Sequence, residues 1–166
     1  MRDKIKILFV CHGNICRSPM AEFVLKKMVR DRGLAGRFEI ASAATTTEEI
    51  WGGRGNPVYP PARKVLLQHG IDPAGKHAVL MQRSDYERYD YLIGMDDENI
   101  YDMRDIAGGD PDAKIMKLLD FTDHPRDVAD PWYTGDFDQT WTDVSEGCEG
   151  LLKNITKAWI HTRDEV

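Results

Sequence analysis

Ile7-Leu8-Phe9-Val10-Cys11-His12-Gly13-Asn14-Ile15-Cys16-Arg17-Ser18-Pro19 is an apolar run that ends in a cysteine, passes through a short loop and enters a helix. With Ile5 ahead of it, the run is apolar almost without alternation, the pattern of a parallel strand covered on both faces. Cys11 then falls at the strand's C-terminal end, the edge of an open α/β sheet where loops and helix N-termini converge on ligands. Gly13 and Asn14 both accept positive φ, so the loop is expected to curl and turn its backbone N–H groups inward as an anion cradle. Ser18 and Pro19 read as the N-cap and first residue of the helix. The capping box is incomplete, because Ala21 and not Glu22 lies three residues after Ser18. Met20, Ala21, Val24, Leu25 and Met28 then recur at helical spacing until Gly33 offers a stop.

A thiol held against backbone donors and the positive end of a helix loses its proton readily, which makes Cys11 a candidate nucleophile. Arg17 can return across the loop and offer a planar fork of donors to two oxygens of a tetrahedral oxyanion. The commoner fates of these residue types are a buried core cysteine and a surface arginine. Here the strand, the Gly-Asn loop and the Ser-Pro helix start are independent requirements met together, and they favour a site.

The stretch Val10 to Pro19 resembles the phosphate-binding loop of the low-molecular-weight protein tyrosine phosphatases, which also lies near the N-terminus. Asp130-Pro131-Trp132-Tyr133 resembles that family's general-acid loop, and Gly94-Met95-Asp96 the end of its third strand. The resemblance runs through the whole chain in order. It implies a protein tyrosine phosphatase in which Cys11 attacks phosphorus, while Arg17 and the loop from His12 through Gly13, Asn14, Ile15 and Cys16 hold the phosphate oxygens. Asp130 then protonates the departing phenolate and later activates water, and the Ser18 hydroxyl eases expulsion of Cys11. Trp132 and Tyr133 would wall a slot for an aryl phosphate. The products are the dephosphorylated protein and inorganic phosphate, with no cofactor or metal required. Asp130-Pro131 taken alone is only a turn dipeptide.

Bulk properties narrow the alternatives. A chain of 166 residues suits one buried core, so residues 1–166 are expected to form a single domain. A net charge of −6 argues against a broad nucleic-acid surface. The N-terminus lacks a signal-peptide pattern and no apolar run reaches membrane-spanning length, so a cytoplasmic location away from membranes is expected. Three cysteines give no disulfide framework, and Cys11 and Cys16 lack a second Cys or His pair at zinc spacing.

Phe38 to Ala43 reads as a second strand beside the first, with Ser42 near the catalytic edge and able to steady Asn14. Thr45 to Pro61 is rich in Gly and Pro and reads as a loop carrying Trp51, an aromatic able to stack on a phenyl ring at the pocket mouth. Ala62 to His69 reads as a helix closed by Gly70. The resemblance places a supporting histidine in the next stretch, where His77 is the candidate and Lys76 its competitor. Tyr89 to Met95 and Ile115 to Leu119 read as the third and fourth strands. Asp96 reads as the cap of the helix that follows. A loop to about Asp138 leads into a long amphipathic helix with Trp141, Val144, Cys148, Leu151, Leu152, Ile155 and Trp159 on its apolar stripe. Strands alternating with helices argue an α/β fold with a parallel sheet. The resemblance supplies the rest: a three-layer domain of four parallel strands flanked by helices.

Other activities share parts of this pattern. A thiol-dependent arsenate reductase of the same fold needs further relay cysteines, and residues 80–95 contain none. A non-catalytic phosphoprotein-binding module would not need Cys11, Arg17 and Asp130 together. Protein-arginine phosphatases share the loop but resemble Thr at the position of Ile15, whose apolar wall favours a flat aryl group.

Overall fold

The opening apolar run forms β1 (Ile5–Cys11) of the computed structural model, which describes residues 4–164 with side chains through Ala158. Continuing along the chain are α1 (Arg17–Asp31), β2 (Phe38–Ala44), β3 (Ile50–Trp51), β4 (Arg54–Gly55), α2 (Pro60–Gln68) and α3 (Asp85–Arg88). They are followed by β5 (Tyr91–Gly94), α4 (Asp97–Ala107), β6 (Ile115–Lys117), α5 (Pro131–Thr134) and α6 (Phe137–Asp164). The main sheet runs β2-β1-β5-β6 with every pair parallel, and Leu8 stands opposite Ala41 on one side and Leu92 on the other.

Side chains of a strand alternate between faces, and β1 is apolar on both. Ile7, Phe9 and Cys11 enter one core cluster with Met20 and Leu25 of α1 and Val144 and Leu151 of α6. Leu8 and Val10 enter a second cluster with Tyr86 of α3 and Met103 of α4. Helices therefore cover both faces, which is the expected three-layer α/β domain with a four-stranded parallel sheet. Cys148 is fully buried in the first cluster. The side chain of Trp159, expected on the same stripe, lies outside the described residues.

Several boundaries differ from the sequence expectation. Helix α1 starts at Arg17 with Cys16 as its N-cap and no side-chain capping bond, so Ser18 is not the cap. The Ser18 hydroxyl is committed to the site below. Pro60 and Pro61 occupy the first turn of α2, where a missing N–H costs nothing, and the helix begins there rather than at Ala62. The supposed loop of residues 45–61 contains the small antiparallel pair β3–β4, too short to show any alternation. The fourth strand ends at Lys117, and Leu118–Phe121 close into a 3₁₀ turn. That turn packs so closely on α6 that a Cβ on Gly147 would collide with the Leu118 side chain, and one on Gly150 with the Phe121 carbonyl. Asp96 caps α4 as expected, its carboxylate accepting from the Asn99 N–H at 2.8 Å. Among the described residues no helix is long and apolar enough to cross a membrane.

Candidate active site

The loop from Cys11 to Arg17 lies at the C-terminal edge of the sheet, between the central strand and the helix that packs on it. Asn14 takes a left-handed conformation, φ 59°, whereas Gly13 does not. Gly13 instead leaves room for Glu49: a Cβ there would stand 3.1 Å from Glu49 Cγ, and that side chain would have to shift. The carbonyls of Cys11, His12 and Ile15 accept from the Thr45, Thr46 and Tyr59 N–H groups at 3.0, 3.2 and 2.9 Å. They are thereby drawn away from the cleft, which His12, Gly13, Ile15 and Cys16 line.

Beneath the loop a buried chain of hydrogen bonds ends on the Cys11 sulfur, and its donor directions can be deduced. The Val79 N–H donates to Asn14 Oδ1 at 3.1 Å, so the Asn14 amide nitrogen faces the other way. That nitrogen donates to Ser18 Oγ at 2.7 Å and to Ser42 Oγ at 2.9 Å. Ser42 in turn donates to Glu22 Oε1 at 2.6 Å, because an ionised carboxylate only accepts. Ser18, having accepted from Asn14, has its own proton left to give. Cys11 Sγ lies 3.0 Å away, nearer than its other acceptor, the Ala43 carbonyl at 3.4 Å. The Ser18 backbone N–H adds a second, longer donor to the sulfur at 3.4 Å.

Lys76, not His77, completes this network. Its ammonium donates to the Ser42 carbonyl at 3.0 Å and lies 3.7 Å from Glu22 Oε1. His77 is exposed and bonds the Gly55 carbonyl, on the far side of an antiparallel bridge to Pro57. The physical reason is charge: Glu22, only 5% exposed, needs a cation, and Lys26 and Lys76 supply two. Burial, the largest influence, holds the Lys76 amine below the ordinary lysine range, although Glu22 opposes it.

Arg17 is 2% exposed. Its Nη1 donates to Asp96 Oδ2 at 2.6 Å and to the Val128 carbonyl at 2.9 Å, and its Nη2 lies 3.5 Å from Asp130 Oδ2. Burial would lower its pKa, but the charge of Cys11, the bond and charge of Asp96, and Asp130 together raise it, so it stays cationic. Asp96 thus does more than cap a helix. Asp130 caps α5, its Oδ1 accepting from the Trp132 N–H at 3.0 Å. The loop before it is tied down where the Val128 N–H donates to the Met95 carbonyl at 2.8 Å. Cys16 is the second thiol of the loop, and burial first, then the charge of Cys11, push its pKa well up. It stays protonated while Cys11 holds the donors.

These groups surround a cleft of about 290 Å³ that includes Cys11, Arg17, Asp130, Trp132 and Tyr133 in its walls. Trp132 packs on Tyr59 at 5.0 Å between ring centroids, while Tyr133 is 84% exposed at the rim. Trp51 is not among the lining residues: β3–β4 carries it into solvent, 74% exposed. Asn14, Ser18 and Ser42 are buried behind the loop rather than in the cleft wall. Sequence reasoning did not anticipate Glu48 and Glu49 in the lining. Glu48 pairs with His12 Nε2 at 2.9 Å, and Glu49 accepts from Asn56 Nδ2 at 2.7 Å. Glu22 was the other omission, although it lies on the same helix face as Ser18, four residues on, and Lys76 entered only as the competitor of His77.

A family model described as low molecular weight phosphotyrosine protein phosphatase matches residues 6–160. The chain is 39% identical over 155 residues to the low molecular weight protein-tyrosine-phosphatase YfkJ of Bacillus subtilis, covering 92% of this chain and 97% of that protein. The crystal structure of YfkJ superimposes with a TM-score of 0.88, covering 93% of this chain and 96% of the other at 38% identity. PtpA of Staphylococcus haemolyticus, also a low molecular weight protein-tyrosine-phosphatase, is 33% identical with 92% and 95% covered. DARP, a Drosophila arginine phosphatase, shares the fold at a TM-score of 0.80 and 26% identity, with 91% and 98% covered.

Proposed function

This chain belongs to the low molecular weight phosphotyrosine protein phosphatase family, and from that premise we propose that it hydrolyses phosphotyrosine in protein substrates through a phosphocysteine intermediate. One observation carries the mechanism. The Cys11 sulfur, the Arg17 guanidinium and the Asp130 carboxylate border one small cleft, with Arg17 and Asp130 3.5 Å apart and Ser18 Oγ 3.0 Å from the sulfur.

In the first step the Cys11 thiolate attacks phosphorus, the P–O bond to the aryl group breaks, and protonated Asp130 gives its proton to the leaving oxygen. Arg17 and the loop amides from His12 to Cys16 stabilise the equatorial oxygens as their charge redistributes. In the second step Asp130, now a carboxylate, takes a proton from water as that water attacks phosphorus. The S–P bond breaks, inorganic phosphate leaves, and the thiolate is received by the Ser18 hydroxyl. Asp96 and Val128 act as positioning groups that fix the guanidinium plane. Ser42, Glu22 and Lys76 position Asn14 and Ser18.

Residues 1–166 act as one catalytic domain in this reading. A reducing, cytoplasmic setting agrees with the three unpaired cysteines, Cys11, Cys16 and Cys148. Purified protein is expected to release phenol from an aryl phosphate in the presence of a metal chelator. Release that survives in Cys11→Ser would remove the nucleophile assignment.

A further inference from the structure

A second, larger cavity of about 470 Å³ adjoins the catalytic cleft, a volume within the range of sites that bury most of a small ligand. The two recesses share the walls Ile15, Glu49 and Trp132, so they lie side by side. Of the lining of the second recess, the mechanism above uses only the Ile15 amide and Lys76, which reaches Ser42 and Glu22 behind the loop. Its floor is apolar, with Val58 and Pro73 buried among Pro57, Tyr59 and Pro60.

This floor is also stiff. The Tyr59 N–H is fixed to the Ile15 carbonyl, the Asn56 N–H donates to the Glu49 carbonyl at 2.8 Å, and the Ala78 N–H donates to the Asn56 carbonyl at 2.9 Å. A groove held open by its own backbone bonds loses little order when it is filled.

Charge divides the surroundings. Glu48 lines the cleft alone, Glu49 stands in the wall common to both recesses and is tied to Asn56, and the cations Lys76 and Arg63 line the groove alone. The groove opens toward Arg63, exposed on α2 and followed by the exposed Lys64. No ion pair engages the Arg63 guanidinium among the described residues. A phosphotyrosine with its phosphate over Cys11 and its ring in the cleft would leave its main chain at the cleft mouth, and Trp132 and Glu49 are the cleft walls that lead into the groove. The polypeptide continuing from that mouth meets either the acidic rim or this groove.

Resting on the proposed phosphatase activity, we propose that the groove seats the polypeptide flanking the substrate phosphotyrosine, taking an apolar side chain against Val58 and the prolines and an acidic side chain against Arg63. The site would then select among phosphotyrosine sequences rather than accept any aryl phosphate equally.

The test compares kcat/KM on two phosphotyrosine peptides and on 4-nitrophenyl phosphate, which has no flanking chain. One peptide carries leucine and glutamate within three residues on each side of the phosphotyrosine, and the other carries glycine and lysine there. Wild type is expected to favour the leucine-glutamate peptide by roughly tenfold or more, the size of a partly buried apolar side chain plus a charge contact. Arg63→Glu and Ala74→Trp, the second filling the groove from its exposed edge, are expected to collapse that preference. Both should also lower the ratio of peptide to 4-nitrophenyl phosphate kcat/KM.

Turnover of 4-nitrophenyl phosphate with equal kcat/KM on both peptides, or a preference unchanged in both variants, overturns the groove assignment and leaves the phosphatase activity standing. No turnover of any of the three overturns both. Self-association of wild type that Ala74→Trp abolishes, with no peptide preference, would make the groove a contact between copies and overturn the proposal.

Discussion

A single sulfur receives two hydrogen bonds, from the Ser18 hydroxyl and the Ser18 N–H, and everything else at the residue scale serves to aim them. Cys11→Ser is therefore expected to abolish turnover while still binding vanadate or phosphate, since Arg17 and the loop amides remain; binding is read by calorimetry. Asp130→Asn should lose roughly 10²–10⁴-fold in kcat with poor leaving groups and much less with good ones. An equal loss across a leaving-group series would contradict proton donation. Lys76→Met leaves the buried Glu22 carboxylate with Lys26 alone. The directed chain through Ser42, Asn14 and Ser18 should loosen, lowering kcat about tenfold with KM little changed, and Lys76→Arg should recover part of it. The same lysine gives a stability signature. Because burial lowers its folded pKa, the unfolded chain binds more protons between that value and the ordinary ~10.4. Its share of stability thus rises with pH across that window, and Lys76→Met should remove the rise in urea titrations at stepped alkaline pH. Of these residues, Cys11, Arg17 and Asp130 were legible because each sits in a local motif. Lys76 and Asp96 were legible only in part, as the competitor of His77 and as a helix cap, because what decides their further roles lies far off in sequence: Glu22 selects Lys76 over its neighbour His77, and Arg17 reaches Asp96 across 79 positions.

Elements announce themselves in proportion to their length and periodicity. The strand β1 carries seven residues of near-continuous apolar character, and α1 a clear helical stripe, so both were readable to within two residues. The β3–β4 pair has two residues a side and leaves no periodic trace, which is why Trp51 was expected at the pocket and instead projects into solvent. Packing between elements is the least legible of all, and Gly150 shows why. In an open helix, Gly→Ala stabilises by about 1 kcal/mol through backbone entropy. Here α6 approaches the turn after β6 until the Phe121 carbonyl occupies the space a Cβ needs. Gly150→Ala should reverse the usual sign and destabilise by roughly 1–3 kcal/mol, as overpacked cores do. A thermal melt decides it: an unchanged or raised Tm would mean that the helix and turn part freely.

At the scale of the whole molecule the fold positions the loop and its cleft without setting the substrate, since the same architecture appears in tyrosine phosphatases and in a Drosophila arginine phosphatase. Discrimination must come from the cleft walls. Ile15 lines the cleft with an apolar side chain, and Trp132 and Tyr133 stand over it. Three carboxylates in the same wall could in principle welcome a guanidinium, but each already holds a partner: Glu48 has His12, Glu49 has Asn56, and Asp130 has Arg17 and the Trp132 N–H. A phosphorylated arginine entering this slot would shed water from a charged group and displace one of those partners, whereas a phenyl ring loses little on the same path. A phosphoserine reaches too short a distance from its main chain to bring phosphorus to Cys11. The expected order of kcat/KM on peptides matched outside the modified residue is phosphotyrosine, then phosphoarginine, then phosphoserine. Ile15→Thr, which adds a hydroxyl able to orient water at a phosphoramidate, should move the ratio toward arginine. A phosphoarginine value equal to or above that for phosphotyrosine in wild type would reverse the assignment of substrate class, because it would mean that the carboxylates of the rim, and not its apolar walls, govern entry.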